Sequence, residues 1–273
     1  MALTAIPTSP YDDDFIEEYP LKRAPLVRVL AQVRHPSLLA LTGDPSNPAA
    51  LRIASSLSDQ FPIFEATRER AIAVTPEGVK EVEEGGTPLW RLRNADETWQ
   101  ISFSSKFLAL ETSKYVGRED FCDRLESVLS VYAEEVRPPS STRIGIRYTN
   151  RISIKTEIDR IAELVRSELL GPTAAPMPSG VELAHSLSGA QFVTPTGGSL
   201  LNWGLLSANG IFDPMIPPLD VPSWLLDIDV FNSGKLPFDA TDLAGLAKTL
   251  ATRAYTHFRW AVTAEFLRTF GEQ

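Results

Sequence analysis

Arginine side chains recur at even spacings in three segments that have the residue pattern of β-strands. By strand, they are Arg28 and Arg34, then Arg91 and Arg93, then Arg143, Arg147 and Arg151. Side chains an even number of positions apart in a strand share a face, and guanidinium groups on one face can bind carboxylate or phosphate groups. The pattern predicts an anion-binding face. The candidate ligand-binding residues of this face are the arginines of the first and third segments, together with Tyr148 and Asn150: Arg28, Arg34, Arg143, Arg147, Arg151, Tyr148 and Asn150.

A second interpretation of the same arginines is ion pairing between strands. The acidic residues that could pair with them are Glu65, Glu69, Glu111, Asp227 and Asp229. Pairs of this kind are common on sheet surfaces, where each contributes about 0 to 1 kcal/mol. The two interpretations differ in one structural feature, which is whether the arginines converge on a pocket or each meets a carboxylate.

Asp227 and Asp229 form a D-x-D pair in the segment WLLDIDVF, and alternation places both carboxylates on one face of a strand. Such a pair can hold a divalent cation or perform acid-base chemistry. No third ligand lies nearby in the sequence, so the residues are weak metal candidates. Ion pairing with the arginine strand is the alternative.

The sequence has no motif that indicates a reaction. It has no G-x-G-x-x-G after a strand, no phosphate-binding loop, no H-E-x-x-H and no G-x-S-x-G. The three histidines, His35, His185 and His257, lie in distant segments, and His257 is interpreted as a structural residue of a long helix. We therefore assign no catalytic residue and no cofactor, and an enzyme is not favoured.

Composition indicates a folded, cytoplasmic chain. Its 273 residues are 43% hydrophobic, none of its apolar runs is long enough to cross a bilayer, and its one cysteine, Cys122, cannot form an internal disulfide. The net charge of -9 argues against general binding of DNA. It leaves local recognition of RNA or a nucleotide open.

Residues 1–20 form an acidic leader, which contains Asp12 and Glu18 among its five acidic residues and has no lysine or arginine. We expect it to be a mobile arm. The alternative is an arm that docks on a basic groove, either its own or that of a partner.

The rest of the chain is predicted to be α+β, with a β-α-β4-α half at residues 21–141 and a β-α-β3-α half at 142–273. The two halves are expected to be pseudo-symmetric and to form one curved antiparallel sheet with the long helices packed on one face. This order of elements is similar to the duplicated pattern of TATA-binding-protein-like and helix-grip folds, a likeness that implies no function.

Periodicity places most of the individual elements. Strands are predicted at 25–35, 63–75, 88–94, 98–104, 107–114, 142–154, 181–194, 199–207 and 223–231, with a hairpin across Thr196-Gly197-Gly198. Helices are predicted from Asn47-Pro48, at 118–136, from Thr156 to Leu169, and from Asp239.

Five segments resemble a family of uncharacterised bacterial proteins that is distributed sporadically among distant bacteria. They are PLVRVLAQVRHP, the Phe61-Pro62 pair, Y-x-G-x-x-x-F at residues 115–121, RIGIRYTNRI and LLDIDVF. The resemblance implies that Arg143, Arg147, Tyr148, Asn150, Asp227 and Asp229 belong to the family pattern. It brings no activity, and the sporadic distribution is typical of toxin-antitoxin, immunity or phage-defence genes.

These observations favour a non-enzymatic protein-interaction module with a protein partner that could be encoded nearby, and a homo-oligomer is compatible with them. The alternative is a domain that binds a small ligand or nucleotide at the arginine face. A metal-dependent enzyme built on Asp227 and Asp229 is a weaker alternative.

Overall fold

The structure is a computed structural model that describes residues 7–12, 18–68, 71–75, 78–82 and 86–271, and its fold is α+β. The strands are β1 Leu26–Arg34, β2 Ile63–Arg68, β3 Ala71–Thr75, β4 Gly78–Val82, β5 Pro88–Arg93, β6 Trp99–Ser104, β7 Phe107–Thr112, β8 Ser141–Ile152, β9 Ser186–Thr194, β10 Gly197–Leu206 and β11 Ser223–Leu236. The α-helices are α1 Pro48–Leu57, α2 Arg118–Val136, α3 Lys155–Ile158, α4 Ile161–Leu164, α5 Ala240–Ala261 and α6 Ala264–Gly271. Short 3-10 helices occupy Leu39–Leu41, Ser167–Leu169 and Gly171–Ala174.

Nine of these strands form an open antiparallel sheet in the order β2-β5-β6-β7-β1-β8-β11-β10-β9. Strands β3 and β4 pair separately. The predicted hairpin is confirmed, because β9 and β10 are joined by Pro195 and Thr196 and pair in register from Thr194 and Gly197 onward. Within the described ranges, no helix is both long and apolar enough to cross a membrane.

Contacts between Cα atoms divide the chain into two compact units. The first consists of the described parts of Met1–Val29, Ile146–Phe231 and Thr249–Gln273, and the second of Leu30–Gly145 and Asn232–Lys248. Strands β1, β8 and β11 supply residues to both units, so neither unit is a continuous stretch of chain.

In the second unit, helices α1 and α2 form where the sequence predicts them. Asn47 caps α1 by accepting hydrogen bonds from the backbone N–H groups of Ala49 and Ala50, and Pro48 occupies the first turn. The apolar stripe of α2 is buried as expected: Phe121, Leu125, Val128, Leu129, Tyr132 and Val136. Trp90 stacks on Phe103 beside this core.

In the first unit, the prediction of one helix from Thr156 to Leu169 is wrong. Helix α3 ends at Ile158, α4 ends at Leu164, and only a 3-10 turn follows. The cause is a tertiary contact: Val165 forms a β-bridge with Val262, and Arg166 N–H donates to the carbonyl of Ala261. These bonds take the place of the next helical turn.

Two predicted strands are also too long. The segment 63–75 contains β2 and β3, which pair in different sheets. The segment 181–194 contains β9 only from Ser186, because the backbone turns earlier, where Val181 N–H donates to the carbonyl of Pro178.

Gly204 of β10 approaches its partner strand too closely for any side chain. A Cβ atom there would collide with the backbone carbonyl of Ser186, and its φ of +137° is one that side-chain-bearing residues rarely adopt. We expect Gly204→Ala to lower the free energy of unfolding by at least about 2 kcal/mol, measured by urea denaturation.

Gly245 of α5 provides the matched control, because a Cβ added there would have no atom within 4 Å apart from its chain neighbours and the backbone of its own helix. Gly245→Ala should be neutral or stabilise the protein by up to about 1 kcal/mol. Equal effects of the two substitutions would contradict this account.

Candidate functional site

Arg28 and Arg147 of the first unit meet at one carboxylate. Their Nη1 atoms each lie 2.9 Å from Oδ2 of Asp213, and Nε of Arg147 donates to Oδ1 of Asp227 at 2.7 Å. We call these four residues the arginine–aspartate network. It is built from β1, β8 and β11 and from the connection between β10 and β11, which contributes Asp213.

Asp227 is the buried centre of this network, with 1% of its surface exposed. Its Oδ1 also accepts a hydrogen bond from Thr149 Oγ1 at 2.8 Å, and its Oδ2 accepts one from Asn202 Nδ2 at 3.3 Å. A buried carboxylate requires partners of this kind. Both oxygens are therefore engaged by side chains of the protein itself.

The network favours the charged form of Arg147. Burial alone would lower the pKa of Arg147, but Asp227 and Asp213 outweigh that effect and raise it. The guanidinium also lies over the ring of Phe212, 5.5 Å from its centroid. Arg147 is thus a fixed cation whose charge is matched within the fold.

Sequence reasoning missed Asp213, because it lies in a proline-rich connection without periodicity. Its Oδ1 accepts a hydrogen bond from the backbone N–H of Met215 at 2.9 Å, a turn typical of aspartate followed by proline. The Asp213-Pro214 pair was the one available signal. It predicts a turn and identifies no arginine partner.

Arg151 lies four residues after Arg147 in β8. It has no carboxylate among its described hydrogen-bond partners. Its Nε donates to Ser223 Oγ and its Nη1 to the carbonyl of Pro217, both at 2.8 Å. The buried Nη2 has no hydrogen-bond partner among the described residues, and burial lowers the pKa of Arg151.

A small pocket lies beside Arg151. It is lined by Leu206, Gly210, Phe212, Asp213, Ile216 and Leu225. Its cavity volume is about 10 Å³, which is the room of one water molecule. This pocket is too small for a nucleotide or an organic acid.

The described contacts of the other candidate ligand-binding residues are local ones. Arg34 is exposed and donates to Gln32, and the guanidinium of Arg143 lies over Gly145. Tyr148 is half-buried, and Asn150 donates to the carbonyl of Leu226 at 3.4 Å.

Ion pairing between strands, the second interpretation, is present in both units. In the second unit, Arg91 and Arg93 of β5 both pair with Glu65 of β2, and Arg93 also pairs with Glu97. In the first unit, Arg147 pairs with Asp227. Glu69 lies outside the described residues.

The two aspartates of the predicted D-x-D metal pair lie in different environments. Asp227 is buried in the network, whereas Asp229 is partly exposed. In the part of the chain that the structure describes, no group of three or more histidine, cysteine, aspartate or glutamate residues is arranged to hold a metal ion.

A second polar cluster in the first unit joins the leader to the long helix α5. Tyr11 Oη and Ser199 Oγ are 2.8 Å apart, Ser199 Oγ is 2.8 Å from His257 Nε2, and His257 Nδ1 is 2.8 Å from the carbonyl of Arg253. Because a carbonyl only accepts, Nδ1 carries the proton, Nε2 accepts from Ser199, and Ser199 accepts from Tyr11.

The described part of the leader is held by further contacts. Arg253 donates to the carbonyl of Asp12 and lies over the ring of Tyr11, and Pro7 and Pro10 are buried. These contacts join residues 7–12 to β10 and α5 of the same unit. Residues 1–6 and 13–17 lie outside the described residues.

The contacts of the serine–histidine pair differ from those of a catalytic triad. Ser199 is completely buried, and the imidazole is oriented by a carbonyl where a catalytic triad has a carboxylate. Burial lowers the pKa of His257 to about 4. The interpretation of His257 as a structural residue agrees with these contacts.

The third candidate site is the open edge of the sheet at β9. This strand, SLSGAQFVT, has nine residues, none of them charged, proline or buried. Its odd-numbered side chains are exposed, including Leu187 at 39% and Val193 at 80%. Leu200 of β10 adds a further exposed apolar side chain beside them.

In comparisons with known proteins, no family model matches this chain, and no curated protein has significant sequence similarity to it. The resemblance of RIGIRYTNRI and LLDIDVF to a bacterial family therefore stays a prediction. The site is interpreted from its own geometry.

Asp227→Asn tests the arginine–aspartate network. It would leave Arg147 beside a neutral amide, so we expect a loss of about 3 kcal/mol in the free energy of unfolding, measured by urea denaturation. As the control, Glu97→Gln removes an exposed pair of Arg93 and should cost less than about 1 kcal/mol. A loss at Asp227 no larger than at Glu97 would show that the network is not stabilising.

His257 predicts a pH dependence of stability. An unfolded histidine has a pKa of about 6.5, so between pH 6.5 and 4 the unfolded chain binds a proton that the folded protein excludes. Stability should fall as pH drops through this window, by up to about 3 kcal/mol from His257.

The measurement is the difference in unfolding free energy between the wild type and His257→Asn at several pH values. That difference should shrink from pH 7 to pH 4, whereas the exposed His185→Asn control should parallel the wild type. His35 has a pKa lowered in the same direction and is present in all three proteins. A constant difference would disprove the assignment.

Proposed function

We propose that this protein is a non-enzymatic protein-interaction module, whose partner adds an extended strand at the edge formed by β9. The observation that carries the proposal is the length of this edge strand together with its exposed side chains and its lack of charge. An exposed edge strand presents unpaired N–H and C=O groups, and many protein partners bind by pairing with such a strand.

The backbone of β9 is oriented for such pairing. The carbonyls of Ser186 and Phe192 lie against Gly204 and Gly198 of β10. Because backbone groups alternate in direction along a strand, the even-numbered residues bond to β10 and the odd-numbered residues direct theirs outward. The outward groups are those of Leu187, Gly189, Gln191 and Val193.

The opposite edge of the sheet is protected in the usual way. Strand β2 has only six residues, and it carries Glu65 and Arg68. Charges and short length discourage edge pairing, and β9 has neither feature. The contrast supports a binding role for β9.

The polar clusters support a role without catalysis. Arg147 and Asp227 are each matched by partners of the fold, and Ser199 and His257 are buried beneath Tyr11. The sporadic distribution of the family that the chain resembles is typical of toxin-antitoxin, immunity and phage-defence genes, so we propose a protein partner from such a system, encoded nearby, and a cytoplasmic location. The pseudo-symmetry of the two halves is likewise a proposal.

Two valines with equal exposure permit a matched test. Val193 of β9 and Val116, between β7 and α2, are both 80% exposed. Tagged wild type, Val193→Lys and Val116→Lys would be isolated by gentle lysis from the source organism, which also expresses a second, differently tagged copy.

We expect a stoichiometric partner, either another protein or the second copy, with the wild type and Val116→Lys. Val193→Lys should lose it at least tenfold, because a lysine places a charge on the pairing edge. Equal thermal stability of the three proteins would exclude misfolding. Recovery of the same partner with Val193→Lys, or of free protein only, would overturn the proposal.

A further inference from the structure

We infer that the strand added at β9 belongs to a second copy of this chain, paired antiparallel about a two-fold axis at Ala190. This inference rests on the proposed function and specifies its partner. The same residues of both copies meet in a two-fold interface, so a β9–β9 interface requires β9 to be complementary to itself.

A two-fold axis at Ala190 places the exposed apolar side chains opposite each other. Leu187 is three residues before Ala190 and Val193 is three residues after it. Antiparallel pairing about this axis therefore places Leu187 opposite Val193 of the second copy. By symmetry, Val193 also lies opposite Leu187 of the second copy. Apolar cross-strand pairs of this kind stabilise a sheet.

Other registers lack this complementarity. A shift of the axis by one residue, to Gly189 or Gln191, places Gln191 opposite Leu187 or Gly189 opposite Val193. An axis between two residues would join the exposed face of one copy to the inner face of the other. Of these registers, only the axis at Ala190 pairs both exposed apolar side chains.

Backbone direction agrees with this register. The odd-numbered residues of β9 direct their N–H and C=O groups outward, so Leu187 and Val193, and also Gly189 and Gln191, become hydrogen-bonded pairs. Ala190 then faces Ala190 of the second copy as a non-hydrogen-bonded pair, with a Cα separation of about 4.5 Å.

Charge also permits self-pairing. Residues near a two-fold axis meet their own copies, so any charge near Ala190 would lie beside a like charge. Strand β9 has no charged residue, which removes this repulsion. The same absence of charge leaves the edge unprotected in a monomer.

Ala190→Cys tests the register directly. Two cysteines at this Cα separation can form a disulfide, for which the usual range is about 4.4 to 6.8 Å. Ser188→Cys is the control on the same face of β9: two such cysteines would be four strand positions apart, about 13 Å. The native Cys122 is buried, and burial raises its pKa to about 11, so it contributes little background.

Under mild oxidation, Ala190→Cys should become a disulfide-linked dimer on a non-reducing gel at least tenfold faster than Ser188→Cys. By sedimentation velocity, the purified wild type and Val116→Lys should be dimers of the 30.0 kDa chain, and Val193→Lys a monomer. Equal rates of cross-linking for the two cysteine variants would disprove the register.

A monomeric wild type at 100 µM would disprove self-pairing altogether. If the lysate experiment then recovers a different protein in a Val193-dependent manner, the interaction module stands and only its partner changes. If it recovers nothing, both proposals fail.

Discussion

The buried carboxylate of Asp227 is the constraint on which the first unit depends. A carboxylate with 1% exposure must be matched by donors, and here they come from Arg147, Thr149 and Asn202. Arg147 then reaches Asp213, which also accepts from Arg28. Compensation of the Asp227 charge thus fixes the face of β8 that carries Arg147, and it fixes Asp213 in the connection between β10 and β11. The same pairs engage Arg28 and Arg147, the cations that an anionic ligand would need.

The same requirement for partners applies to the backbone N–H and C=O groups of the strands. Inside the sheet each strand has neighbours on both sides, and the β2 edge is short and charged. The β9 edge has neither protection. Exposed backbone groups in an uncharged edge strand favour pairing with another strand, so we propose this surface edge as the partner site of the first unit.

Much of the local structure followed from residue pattern. Asn47-Pro48 predicted the start of α1, three- and four-residue spacing predicted α2, and Thr196-Gly197-Gly198 predicted the β9–β10 hairpin, because capping, amphipathicity and turn formation involve residues close in sequence. Residue type and alternation also predict the pairing of Asp227 with the arginine strand, as one of two interpretations. The single helix at 156–169 failed because its backbone bonds to residues 261–263, which no local pattern reports.

The sequence by itself determined the α+β class, most helices and strands, and the shared faces of the arginines and of the D-x-D pair. All of these depend on contacts within a few residues. Tertiary structure decided which arginine meets which carboxylate, that Tyr11 covers Ser199 and His257, and that β9 is an edge strand. Partners at these sites are far apart in the chain, so their charges and hydrogen bonds are matched only after the fold brings them together.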